Sequence, residues 1–322
     1  MRTKEQFLML WMLGGMMLAG LAACSGDDDT ATNDNAPQTA DDGVKVRRLT
    51  ITEAEGGAAE ARQALTRASL TEDDGLTAKW TAGDALTYCN LMRTKHVMTP
   101  EEDDIPISGN LTATTAAATS QFTGDVTCSK NDYLAVVYPA TTFTASDNTF
   151  SYTLPLTGQD GTLATLATRY HYVFGKALVT AVTDKTADAT IGRMKSLLTV
   201  CKFSFVDKSN DAVIPIKSLS ISYGGTGSSD AGKYPQTATV SIGVNTAQDD
   251  VHATGADITA PLTITASGQT EVYVALLPTA AARTFSFSVS DGSGNSYTGT
   301  AKATLAEGEY VEATGLRLTK QQ

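Results

Sequence analysis

Histidine, cysteine, basic charge and long apolar runs are all scarce in this sequence, and each shortage removes a class of function. The three histidines, His96, His171 and His252, stand far apart, with no second histidine at metal-ligand spacing. His171, between two tyrosines, reads as a packed strand residue and the other two as solvated. Cys89, Cys128 and Cys201 are widely spaced, with no C-x-x-C pair. They read as small core residues or at most one disulfide, not a metal site. No G-x-S-x-G elbow occurs. Residues 227–233 have phosphate-loop spacing, but Tyr234 stands where Ser or Thr would hold magnesium, and Pro235 forbids the following helix. The acidic run 101–104 lacks ligand spacing and reads as a solvated loop tip. No catalytic residue, cofactor or metal is expected, so the chain reads as no enzyme. Lys and Arg number 24 against 35 Asp and Glu, a net charge of −11, which argues against nucleic acid or anionic membrane surfaces as partners.

The one long apolar stretch lies at the start. Arg2 and Lys4 precede the Met- and Leu-rich run 7–18, too short for a spanning helix, which needs roughly 20 apolar residues. It suits the apolar region of a signal peptide over 1–23. Leu21-Ala22-Ala23-Cys24 resembles the lipobox of bacterial lipoproteins, which implies lipidation (palmitate among the acyl chains) of Cys24 after cleavage behind Ala23. Removing Arg2, Lys4 and Glu5 takes away one net positive charge, leaving −11 − 1 = −12. Asp27-Asp28-Asp29 follow, and 24–43 is Asp, Asn, Thr, Ala and Pro without apolar period, a disordered acidic tether. That acidic run resembles the surface-export signal of Bacteroidetes lipoproteins.

Beyond the tether the pattern is β. Segments 285–290, 219–223 and 262–265 alternate apolar and polar residues, and 240–244 does so less strictly, as in sheets with one wet face. Runs 133–138 and 272–277 are apolar on both faces and predict inner strands. Asp291-Gly292-Ser293-Gly294-Asn295 between two alternating segments predicts a hairpin turn. A weak helical pattern covers only 193–200. Length and the polar turn at 207–211 predict two domains, 44–208 and 209–322. Val44-Lys-Val46-Arg-Arg-Leu49-Thr-Ile51 predicts a first strand, with a phase change between Arg47 and Arg48 that fits a bulge. Trp80 reads as a core residue.

Several segments, in order, resemble the fimbrillin family, the major-pilin-like surface lipoproteins of Bacteroidetes (type V pilus subunits). They are Leu65-Thr-Arg67-Ala-Ser69, Trp80-Thr-Ala-Gly-Asp84, Phe122-Thr-Gly124, Tyr133 to Pro139, Val272 to Pro278 and Gly308-Glu-Tyr310. The resemblance implies two tandem transthyretin-like β-sandwich domains and an outer-membrane lipoprotein of the cell surface or fimbrium. It implies assembly with other pilin subunits by strand exchange, after an arginine-specific protease cuts behind the first strand. Arg67 matches the cleavage position better than Arg62, because Ala-Ser follows. The exchanged strand would carry Val44, Val46, Leu49 and Ile51, and the donor would be 310–318, with Tyr310, Leu316 and Leu318. Little chain follows that segment before Gln322, which fits either a cap, tip or anchor subunit that accepts but does not donate, or a relative that never polymerises. The rival reading is a surface carbohydrate-binding lipoprotein or a non-polymerising adhesin; a sugar binder would show a cluster of exposed aromatic rings.

Overall fold

The structure, a computed structural model, describes residues 45–53, 69–72, 76–92, 107–146, 149–192, 194–225 and 229–322. Its strands run in order from β1 (Lys45–Glu53), β2 (Ser69–Glu72), β3 (Leu76–Lys79) and β4 (Ala85–Asn90) to β5 (Ser108–Ala113), β6 (Gln121–Cys128) and β7 (Tyr133–Tyr138). Next come β8 (Thr144–Ser146), β9 (Thr149–Pro155), β10 (Val173–Val182), β11 (Thr186–Ile191), β12 (Lys195–Ser196) and β13 (Thr199–Asp207). The rest are β14 (Ile216–Tyr223), β15 (Tyr234–Gly243), β16 (Ala253–Ala260), β17 (Leu262–Gln269), β18 (Glu271–Leu276), β19 (Arg283–Ser290), β20 (Ser296–Ala303) and β21 (Tyr310–Lys320). Among the described residues the chain is all-β apart from a few helical turns. Those turns lie at Leu163–Thr165, Leu166–Tyr170 and Gln248–Asp250. The helical pattern over 193–200 is not realised: β12 and β13 occupy it, because pairing partners on both sides outweigh a weak local preference.

Seven strands close on themselves. β1 pairs with β6, then β5, β4, β7, β10 and β11 follow in turn, and β11 returns to β1. Inside the ring lie Leu49, Trp80, Leu86, Phe122, Val136 and Ile191, all buried. Trp80 packs edge-on against Phe122 at 4.9 Å and Tyr138 at 5.4 Å between ring centres, so it is a core residue as expected. β7 shows why its run is apolar throughout. Leu134, Val136 and Tyr138 face the ring interior, while Ala135 and Val137 join a second core outside it.

That second core is covered by two further sheets. One has the order β17-β14-β19-β20-β21-β13-β18, so β13 joins the strands of the C-terminal half. The other has the order β16-β15-β9-β8, taking two strands from each side of the turn at 208–212. Phe150, Tyr152 and Leu154 of β9 and Val240 and Ile242 of β15 meet Leu219, Ile221, Val274 and Phe287 there. The alternation over 285–290 works out as read: Phe285, Phe287 and Val289 are buried and the serines between them turn outward. Residues 291–295 make the hairpin turn, with Gly292 and Gly294 at φ +76° and +92°, a region that favours glycine. Among the described residues no helix is long and apolar enough to cross a membrane.

Candidate functional site: the seat of the first strand

β1 is the stave that closes the ring. It runs antiparallel to β6 from Lys45 opposite Cys128 to Thr52 opposite Gln121, and parallel to β11 from Arg48 to Glu53. Every other pairing around the ring is antiparallel. Leu49 and Ile51 point inward and are fully buried. Together they contribute about 3–6 kcal/mol of burial before entropy, at ~1.5–3 each.

The expected bulge between Arg47 and Arg48 is absent, since the register to β6 is unbroken. Arg47 takes the inward position two residues before Leu49 and is 1 % exposed, while Val46 turns out and is 57 % exposed. The reason is the ring's open end. Backbone carbonyls there need donors, and a guanidinium offers five where valine offers none. Arg47 Nε donates to Thr183 O at 2.6 Å, and Nη1 donates to Cys128 O. The other charged contacts of β1 are exposed: Arg48, on the outward face, meets Asp125 at 3.5 Å, and Lys45, on the same face as Arg47 but at the strand's start, meets Asp184 at 2.8 Å. Val44, Arg62, Arg67 and Cys24 lie outside the described residues, as do the acidic run at 101–104 and His96.

A second constellation ties β2 to the C-terminal strands, and nothing in the sequence pattern announces it. The Glu72 carboxylate accepts from Lys202 Nζ of β13 at 2.7 Å, from Tyr310 OH of β21 at 2.7 Å and from Tyr273 OH of β18. Glu271 shares the same ammonium at 3.3 Å. The Lys202 hydrogen bond, then those of the two tyrosines, hold the Glu72 carboxyl down to about 2, and the same pairing raises Lys202.

The candidate donor strand is already seated. β21 runs parallel to β13 from Tyr310 to Leu318 and meets β20 only at Thr319 and Lys320. Its ladder shifts beside Phe203 and Phe205, where Gly315, at φ +66°, donates its N–H to Ser204 Oγ at 2.9 Å. Leu318 is 1 % exposed and Leu316 half-buried. A Cβ at Gly299 would lie 2.6 Å from Leu318 Cδ2, so that glycine makes room for the leucine.

Cys89, Cys128 and Cys201 are buried thiols, and burial alone pushes the Cys89 thiol up to about 12. No disulfide links them. Among the described residues no group of three or more His, Cys, Asp or Glu could hold a metal ion. Residues 229–233 lead into a strand, β15, so the phosphate-loop spacing is not followed by a helix. Tyr133, 39 % exposed beneath Lys176 Nζ at 4.5 Å, is the one aromatic among the prominent exposed hydrophobic side chains that are described.

No protein-family profile matches the chain, and no curated protein matches it. Solved structures do align with it. A candidate cell adhesion protein from Bacteroides uniformis aligns over 87 % of this chain and 97 % of its own, at 14 % identity and a TM-score of 0.48. A second such protein, from Bacteroides eggerthii, aligns over 84 % and 85 % at 11 % identity and 0.37. The shaft pilin SpaA of Lactobacillus rhamnosus GG aligns over 86 % and 99 % at 11 % identity and 0.31. At these identities and scores the likeness carries no argument for what this chain does.

Proposed function

We propose that the chain is a structural subunit of a cell-surface fimbria, anchored to the outer membrane through lipid on Cys24 and assembled by β-strand exchange. The observation that carries this reading is the seat of β1. A single N-terminal strand closes the ring, and it is joined to the rest of the chain through residues 54–68. A cut there by an arginine-specific protease, at Arg67 or at Arg62, leaves β1 held by non-covalent bonds alone. Its departure exposes the edges of β6 and β11 and the cleft left by Leu49 and Ile51, and an edge of that kind captures another strand. The incoming strand is that of a neighbouring subunit.

The place of β21 in its own sheet favours the acceptor role for this chain over the donor role. It is also the observation that favours the second reading, a surface adhesin that does not polymerise.

Limited trypsin treatment of the purified chain, with N-terminal mass mapping and native-size analysis, tests the proposal. The expected result is a cut before Ala68, followed by loss of β1 and capture of an added peptide of sequence 310–322. A persistent uncut monomer, or a cut chain that keeps β1 and captures nothing, overturns the exchange mechanism.

A further inference from the structure

The seat of β1 takes more than apolar side chains. Lys45, Arg47, Leu49 and Ile51 follow one another along one face of the strand. The last two enter the ring interior, where Phe122, Val136 and Ile191 are buried with them. The first two lie at the ring's end and meet oxygen. Lys45 Nζ donates to Asp184 Oδ1 at 2.8 Å, and Arg47 donates to the carbonyls of Thr183 and Cys128.

The fold around these oxygens turns them toward the incoming strand. The turn at 183–186 closes through the Thr183 N–H, which donates to Thr186 O at 2.8 Å, and through the Thr183 hydroxyl, which accepts from Thr186 N at 2.9 Å. The Thr183 carbonyl is left to face Arg47. In the turn after Cys128, the buried Asp132 accepts from Ser129 N at 2.9 Å and from Asn90 Nδ2 at 2.7 Å. Asn90 gives its other amide hydrogen to Thr127 O at 2.9 Å, so the amide that reaches this turn is already committed. Carbonyls and the carboxylates of Asp132 and Asp184 thus gather where the strand begins. An occupant without a long donor there leaves the Thr183 carbonyl without its partner, which costs more than an ordinary hydrogen bond contributes.

The chain's own last strand does not meet this requirement. Laid in the direction of β1, with Leu316 and Leu318 in the places of Leu49 and Ile51, it sets Thr314 in Arg47's place and Glu312 beside Asp184. The threonine hydroxyl ends several bonds short of where a guanidinium reaches, and the two carboxylates repel each other. No other register of that direction repairs the fit. Arg317 is followed at two-residue spacing by Thr319 and Gln321, and Lys320 by Gln322, none of them aliphatic. We infer that the strand accepted here carries an arginine or lysine two residues ahead of two alternate aliphatic side chains, and belongs to a different subunit, not to a second copy of this chain. The inference rests on the exchange reading above and adds to it the kind of partner.

The trypsin-cut chain, freed of its first strand and with the protease inhibited, tests this by fluorescence polarisation with labelled peptides. The peptides are 45–53, 310–322, and 310–322 carrying either Thr314→Arg or Ala313→Arg. The two variants have the same charge, but position 313 faces the other side of the strand, and the chain itself is unchanged throughout. Peptide 45–53 and the Thr314→Arg peptide are expected to bind about tenfold more tightly than 310–322, and the Ala313→Arg peptide within about twofold of it. Three results overturn the inference and leave strand exchange standing: 310–322 held as tightly as 45–53, no gain from Thr314→Arg, or an equal gain from Ala313→Arg. Capture of none of the four, 45–53 included, overturns the inference and the exchange reading together.

Discussion

The first and last strands of the described chain are both inserted between two neighbours, one parallel and one antiparallel, yet they are held in different ways. β1 is bonded along nearly its whole length to β6 and over its second half to β11, in a ring with no free edge there. β21 is bonded along β13 but touches β20 only at its tip, and its ladder is interrupted. β1 buries two aliphatic side chains and a capped guanidinium, whereas β21 fully buries only Leu318. The contrast teaches that sheet position alone does not decide how firmly a strand is held. The depth of its inward face and the continuity of its ladder do.

Substitution of the inward leucines tests this most strongly. Leu49→Ala is expected to lower stability by about 3–5 kcal/mol, and Leu318→Ala by about 2–3, in urea unfolding followed by fluorescence. Equal losses would break the comparison. Arg47 sharpens it next. Arg47→Met leaves the carbonyls of Cys128 and Thr183 short of a donor and is expected to cost about 1–3 kcal/mol. Val46→Thr, one residue away but outward, is expected to stay within about 0.5 kcal/mol.

An effect smaller than that of Arg47 belongs to Glu72, which braces β21 against β2. Its carboxyl is depressed in the folded state, so its contribution is complete above the ordinary carboxylate range and is lost as pH falls toward about 2. Glu72→Gln is expected to cost about 1 kcal/mol near neutral pH, solvent screening allowed for. The gap to the parent should close between about pH 4.5 and pH 2. A gap that does not change with pH would deny the carboxylate its role.

Much of the β architecture was legible in the sequence because alternation survives wherever one face is wet. β14, β17 and β19 follow from their Ser and Thr spacing, and β7 and β18 from runs apolar on both faces. β1 was legible as a strand but misread in phase. Val46 was set inward on apolarity, and Arg47 was not credited as a group that satisfies carbonyls at a ring's end. Ring closure was not legible, because the parallel pairing of β1 with β11 joins segments well over a hundred residues apart and leaves no local mark. The Glu72 brace escaped for the same reason, since its partners lie 130, 201 and 238 residues away.

The setting of β1 also has a mechanical meaning. A pull on the segment before Lys45, directed along the strand, loads the bonds to β6 and β11 in shear. Those bonds share the load and must fail together, whereas bonds peeled from one end fail singly. Arg47, gripping two carbonyls near the loaded end, takes the first share of that force. Were the chain tethered at Cys24 as proposed, it would resist flow through the same strand whose removal would open it.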